Sequence, residues 1–250
     1  MTEAAAPDES SGERYPLPDP STIGKEHPDV TGGWLRPSVF GASDGLVSNF
    51  ALIMGMAGGT TDPKPVIIAG VAGLAAGAFS MAVGEYTSVA SQAEFARAEV
   101  KRERREILRH DAQEQAELAS MFVAKGVEES VAREVAHQIH SDPDNALRVH
   151  AREELGVDTD DLPSPMLAAV SSFLSFAVGA LIPLLPLVFG ITSMVPTVGV
   201  SLLALFGTGA LVTAITDRPW WFGGLRQMLL GSAAAGLTFL VGSLVGGVGI

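Results

Sequence analysis

Asp44 and Glu85 are single ionisable residues set inside apolar stretches long enough to span a bilayer. An ionised side chain at membrane depth is costly unless it faces a cavity or an ion path. Two such carboxylates can bind a cation and exchange it for a proton, so transport is the first expectation. A second group lies further along. Glu103, Glu106, His110, Glu114 and Glu117 are offset by 0, 3, 7, 11 and 14 residues. On a continuous helix they fall within roughly 60° of one another and offer oxygen and nitrogen ligands on one face. Like charges stacked this way repel unless a cation lies between them. The plainer reading is a solvated face neutralised by Lys101, Arg102, Arg104 and Arg105, although these bases lie mostly on other faces. Glu153 and Glu154, with His150 one turn earlier, are placed to close the same site. Carboxylate with imidazole suits divalent Fe, Mn or Zn better than Ca or Mg.

The elements that must position these groups are helices. Spans of roughly 20 apolar residues are expected at 37–57, 66–91, 165–189, 195–215 and 225–248. Asp44 and Glu85 then sit about 10–12 Å below the same interface, on antiparallel neighbours, at ~1.5 Å per residue. Met81 lies one turn deeper than Glu85, and Asn49 at a similar level on the first span. A thioether there favours transition metals over Mg or Ca, whereas a lone membrane methionine ordinarily faces lipid or core. Gly70, Gly77 and Gly84 recur every seven residues. They form a face for close helix approach, whether inside one subunit or at a dimer seam. Pro183 and Pro186 predict a kink in the third span.

Between the second and third spans, 92–163 reads as a soluble helical insert. Gln92–Lys125 holds no proline or glycine and Gly126 ends it. Val127–His140 is a second helical run, and Ser141-Asp142-Pro143-Asp144 starts a third. The expected organisation is a disordered tail over 1–30, two spans within 31–91, a metal-binding insert over 92–163, and three spans within 164–250. The fold class is all-α. With a cytosolic amino terminus, the inside segments carry fifteen of the sixteen Lys and Arg residues and the outside only Lys64. Trp220 and Trp221 then mark the cytosolic interface.

Composition excludes several classes. The chain is 47% hydrophobic and 18% charged, below the quarter usual in soluble domains. Cysteine is absent, so disulfides and thiolate metal sites are excluded. A net charge of −12 and no basic patch argue against nucleic-acid binding. No histidine falls inside a span, which disfavours haem or intramembrane protease chemistry. Residues 1–30 lack the basic start and apolar core of a signal peptide. Two rivals to transport stay open. Glu134-x-x-His137 has the spacing of di-iron carboxylate sites, which need two such motifs, and would make a membrane-anchored ferroxidase. A metal sensor is the other, although a sensor has no need of membrane carboxylates.

Ser43-Asp44-Gly45-Leu46 in the first span resembles the vacuolar iron transporter family, as do Gly77-Ala78-Phe79-Ser80-Met81 and Gly84-Glu85-Tyr86 in the second. The layout of two spans, an acidic helical insert and three spans is similar too, and the likeness covers about 30–250. It implies a homodimer in the bilayer that exports Fe²⁺, often Mn²⁺, from the cytosol in exchange for protons, with no permanently bound cofactor. The pore would lie between subunits, with Asp44 and Met81 on the path. Glu103, Glu106, Glu114, Glu117 and Glu154 would match the family's cytosolic glutamates. Plant members place a glutamate where this chain has Gly73, so Glu85 is the candidate for a second pore carboxylate. They also place methionine where this chain has His150. The plain, prokaryotic-looking composition suggests a plasma membrane, and an acidic organelle is the second expectation.

Overall fold

The computed structural model describes residues 33–159, 161–214 and 218–247. The 1–30 tail lies outside these residues. Seven helices account for the described chain: α1 (Leu35–Gly59), α2 (Pro63–Ala124), α3 (Glu129–Ile139), α4 (Pro143–Glu153), α5 (Pro165–Val188), α6 (Met194–Ala214) and α7 (Trp220–Gly247). Five of them, α1, α2, α5, α6 and α7, are long and apolar enough to cross a membrane. No strand occurs among the described residues.

Local chemistry explains the boundaries. Asp62, Asp142 and Ser164 each cap a helix whose first residue is proline, a position where the missing N–H costs nothing. Gly126 and Gly190 adopt positive φ and close α2 and α5. In both, the glycine N–H and the one after it return to the last-turn carbonyls, as Ile191 N–H does to Pro186 O at 2.9 Å. That is the left-handed C-terminal cap. α5 runs through Pro183 and Pro186 to Val188. α7 begins at Trp220, earlier than the apolar run suggests, so both tryptophans belong to a helix rather than to a turn.

α1 is the hub, packing chiefly on α5 and α7, while α2 packs on α5 and α6 on α7. Lipid cannot supply a hydrophobic drive between membrane helices, so close packing of small residues does the work. Gly179 lies against the Ala42 carbonyl and Gly45 against that of Phe176, which draws α1 and α5 together. Gly242 and Gly246 meet Gly55 and Gly59 in the same way between α7 and α1. Thr238 Oγ1 adds a hydrogen bond to Ala51 O at 2.7 Å. The seven-residue glycine stripe of α2 behaves otherwise. Gly70 receives Leu184, Gly77 receives the Phe176 ring, and Gly84 meets nothing. Two of the three therefore admit side chains of the same chain and not a neighbouring backbone. Gly45→Leu is expected to destabilise the bundle by about 1–3 kcal/mol, the usual cost of overpacking, seen as a lower melting temperature in detergent.

α2 continues without interruption from the apolar segment into the charged one, over 62 residues, or about 90 Å. Its single departure from helical geometry is at His110, φ −131° and ψ 35°. α3 and α4 fold back on its charged part. Leu118, Ala119, Ala132 and Ala136 form one small core there, and Ile107, Ala146 and Leu147 another.

Candidate functional site

Two sites emerge. The first is a groove between α1 and α2 with a volume of about 440 Å³. It gathers Asp44 and Asn49 of α1 with Met81 and Glu85 of α2, the four residues expected on a path. Leu46, Phe50 and Ile53 form the buried stripe of α1; Asn49 sits on the edge of that stripe and Asp44 lies away from it, and both line the groove. Asn49 is 2% exposed. Its Nδ2 donates to Ala180 O at 2.6 Å, one residue from the carbonyl that Pro183 leaves without its helical donor. Its Oδ1 is buried with no hydrogen-bond partner. A Cβ at Gly73 would stand 3.0 Å from that oxygen, so the glycine keeps the space in front of it clear. Ser48, Ser80 and Gly84 on the rim are exposed, and the groove opens to one side of the α1–α2 pair. Glu85 also lines a second cavity of about 320 Å³, which holds Arg36 and Arg226. The sequence reading counted those arginines toward membrane orientation and did not place them on a cavity with Glu85.

The second site lies where α2 meets α4. Glu103, His150 and Glu154 present ligand atoms within 4.8 Å of one another. His150 is fully buried and Glu103 nearly so. His150 Nδ1 lies 3.0 Å from Glu103 Oε1 and 3.9 Å from Glu154. The first pair is near but not aligned as a hydrogen bond, and both atoms are left without partners. Two buried, unpaired atoms converging on one point are the arrangement a cation completes.

Burial, then the charges of Glu154, Glu114, Glu106 and Glu117, push the Glu103 carboxyl up to about 7. Glu114 and Glu154 are raised for the same reasons, burial first and the neighbouring carboxylates next. Four other glutamates therefore act on Glu103 through space, three from the α2 stripe and Glu154 from the end of α4. The stripe is not one continuous face, however. Glu103 and Glu114 are buried, Glu106 is half-buried, and Glu117 is exposed. The break at His110 resets the helical phase between the two pairs and leaves His110 itself exposed, apart from the three converging ligands. Glu106 is also paired with Arg102 at 3.1 Å, and Lys125 pairs with Glu153, so the bases neutralise part of the rim. Burial and nearby His140 push His150 down to about 4, which keeps it neutral and able to ligate at neutral pH. Since a proton on Glu103 competes with a metal, affinity at this site is expected to fall about tenfold per pH unit below pH 7, measured by Mn²⁺ titration.

His140 and Asp111 belong to this site and escaped the sequence reading. His140 is buried, with Nε2 3.0 Å from His150 Nε2 and Nδ1 2.7 Å from Asp111 Oδ1. The available signal was the pair of histidines ten residues apart on either side of the Asp142-Pro143 helix start. Glu134 and His137 take no part. They are exposed and bonded to Gln138 and Gln115, at 2.7 and 3.3 Å.

Five helices long and apolar enough to cross a membrane, with carboxylates lining a groove between two of them, have the architecture of a multi-pass membrane transporter. The VIT family matches residues 35–243, and the chain belongs to that family. A protein named vacuolar iron transporter from Acanthamoeba castellanii is 36% identical over 215 residues, 85% of this chain and 77% of that one. Vacuolar iron transporter 1 of Oryza sativa subsp. japonica is 32% identical, with 85% and 87% covered. That of Tulipa gesneriana is 28% identical, with 94% and 98% covered.

Proposed function

We propose that the protein exports Fe²⁺, and Mn²⁺ as a second cargo, from the cytosol in exchange for protons. The observation that carries this reading is the single groove holding Asp44, Asn49, Met81 and Glu85. Carboxylate and amide oxygens with one thioether favour a divalent transition metal over Mg or Ca. Names of relatives point to iron. In this reading the amino terminus and the 92–163 insert are cytosolic, in keeping with the Lys and Arg asymmetry. The insert gathers metal on Glu103, Glu114, Glu154 and His150, with Glu106 and Glu117 at its rim, and passes it to Asp44 and Glu85. The ion leaves past Met81 while a carboxylate accepts a proton in its place.

The open side of the groove, with exposed Ser48, Ser80 and Gly84, is where a second subunit would complete the path. The membrane would be the plasma membrane in a prokaryote and a vacuolar-type membrane in a eukaryote. The test is Fe²⁺ and Mn²⁺ flux into proteoliposomes with and without an acidic lumen. Gradient-dependent uptake is expected. Uptake indifferent to the gradient would remove proton coupling, and no flux with intact binding by the insert would point to a sensor.

A further inference from the structure

Behind the metal-facing nitrogen of His150 runs a chain of contacts that the transport reading does not use. Asp111 Oδ1 lies 2.7 Å from His140 Nδ1, and His140 Nε2 lies 3.0 Å from His150 Nε2. The two imidazole rings meet edge to face, with centroids 5.2 Å apart. Both histidine side chains are fully buried, whereas that of Asp111 is 55% exposed. The chain therefore leads from the surface of the insert to the back of the ligand.

With Asp111 as an acceptor and both imidazoles neutral, the donors and acceptors along this chain have one consistent arrangement. An ionised Asp111 only accepts, so it holds a proton on His140 Nδ1. In neutral His140, Nε2 is then a lone pair. Two ring nitrogens 3.0 Å apart need one proton between them, and here His150 must supply it from Nε2. Nδ1 of neutral His150 is left bare, facing Glu103 Oε1 at 3.0 Å. With Glu103 ionised, two acceptors facing each other repel unless a proton or a metal cation joins them, and both atoms are without a hydrogen-bond partner.

We propose that Asp111 and His140 are positioning residues that set the tautomer of His150, so that its Nδ1 is presented as a metal ligand. The inference rests on the Glu103–His150–Glu154 cluster being a metal site. Outer partners of this kind typically change metal affinity 10–100-fold. Asp111→Asn keeps the shape of an exposed side chain, but its amide can donate as well as accept. His140 can then carry its proton on Nε2, which drives the His150 proton onto Nδ1 and blocks the ligand.

The experiment is Mn²⁺ titration of the full-length chain carrying Asp44→Asn, so that the groove contributes little. Asp111→Asn is expected to weaken binding about tenfold and to cost nothing further in a His150→Ala background. Pulsed electron paramagnetic resonance of bound Mn²⁺ should show coordinated nitrogen in the parent and lose it in Asp111→Asn. An equal cost with and without His150 would mean that Asp111 acts only through its charge, and would overturn the relay. So would nitrogen coordination that survives Asp111→Asn. Parent binding insensitive to Glu103→Gln would overturn the metal site itself, and the relay with it.

Discussion

Asp44→Asn should reduce Fe²⁺ flux in proteoliposomes by roughly 100-fold or more, beyond what loss of an outer partner costs a metal site. The substitution keeps the volume and removes the charge, so it separates ligation from packing. Asp44 shares its groove with Asn49, Met81 and Glu85, and of these only Glu85 carries a second formal charge. Without Asp44, a divalent ion in the groove faces one carboxylate and loses a group that can be exchanged for a proton. The insert is built from other elements, so its metal binding should persist and report correct folding. Met81→Leu makes the useful contrast. It leaves both carboxylates and removes the soft ligand, so discrimination against Mg²⁺ should fall while flux continues. If Asp44→Asn transports normally, the groove is not the path.

Glu103→Gln should have two opposite effects on the insert. Its carboxyl ordinarily titrates near 4.5 and is pushed up to about 7 by burial and by four neighbouring carboxylates. A group whose folded value is raised contributes stability below the unfolded value, and loses it as pH rises through the folded one. Holding Glu103 ionised at pH 8 thus costs the metal-free fold up to about 3 kcal/mol. The neutral amide relieves that cost, so the metal-free insert should be more stable at pH 8 and unchanged near pH 4. The same change removes the most buried carboxylate of the proposed metal cluster, so stabilisation by added Mn²⁺ should vanish. Hydrogen exchange over 92–159, with and without Mn²⁺, reads both effects. A metal-free Glu103→Gln insert no more stable than the parent at pH 8 would contradict the electrostatic account.

The parts of this structure that were legible in the sequence are those governed by local rules. Asp142-Pro143 announced one helix start and Gly126 one helix end, while Asp62-Pro63, read as part of a turn before a span at 66, turned out to open α2. Apolar runs gave the five spans, and isolated charges within them gave Asp44 and Glu85. Depth arithmetic from the same interface put Asn49 and Met81 beside them, and the structure places all four in one groove. What escaped depends on tertiary contact. The break at His110 has no proline or glycine to signal it, and it removed His110 from the carboxylate stripe. Asp111 looks like one more charge on an acidic helix until α3 brings His140 against it. The glycine stripe on α2 suggested backbone approach, yet Leu184 and Phe176 fill it, because what enters such a groove is decided by the opposite helix.

The unbroken course of α2 has a mechanical meaning. From Pro63 to Arg109 it holds helical geometry, so Met81 and Glu85 in the groove and Glu103 in the insert ride on one stiff rod. From residue 92 to His110 the rod extends about 27 Å. With residue 92 as the pivot, Glu103 stands about 16 Å along the rod, and a tilt of about 10° in the membrane segment would carry it sideways by about 3 Å. The helix is a lever arm, and any rocking that opens or shuts the groove is delivered, amplified, to Glu103 and its cluster with His150 and Glu154.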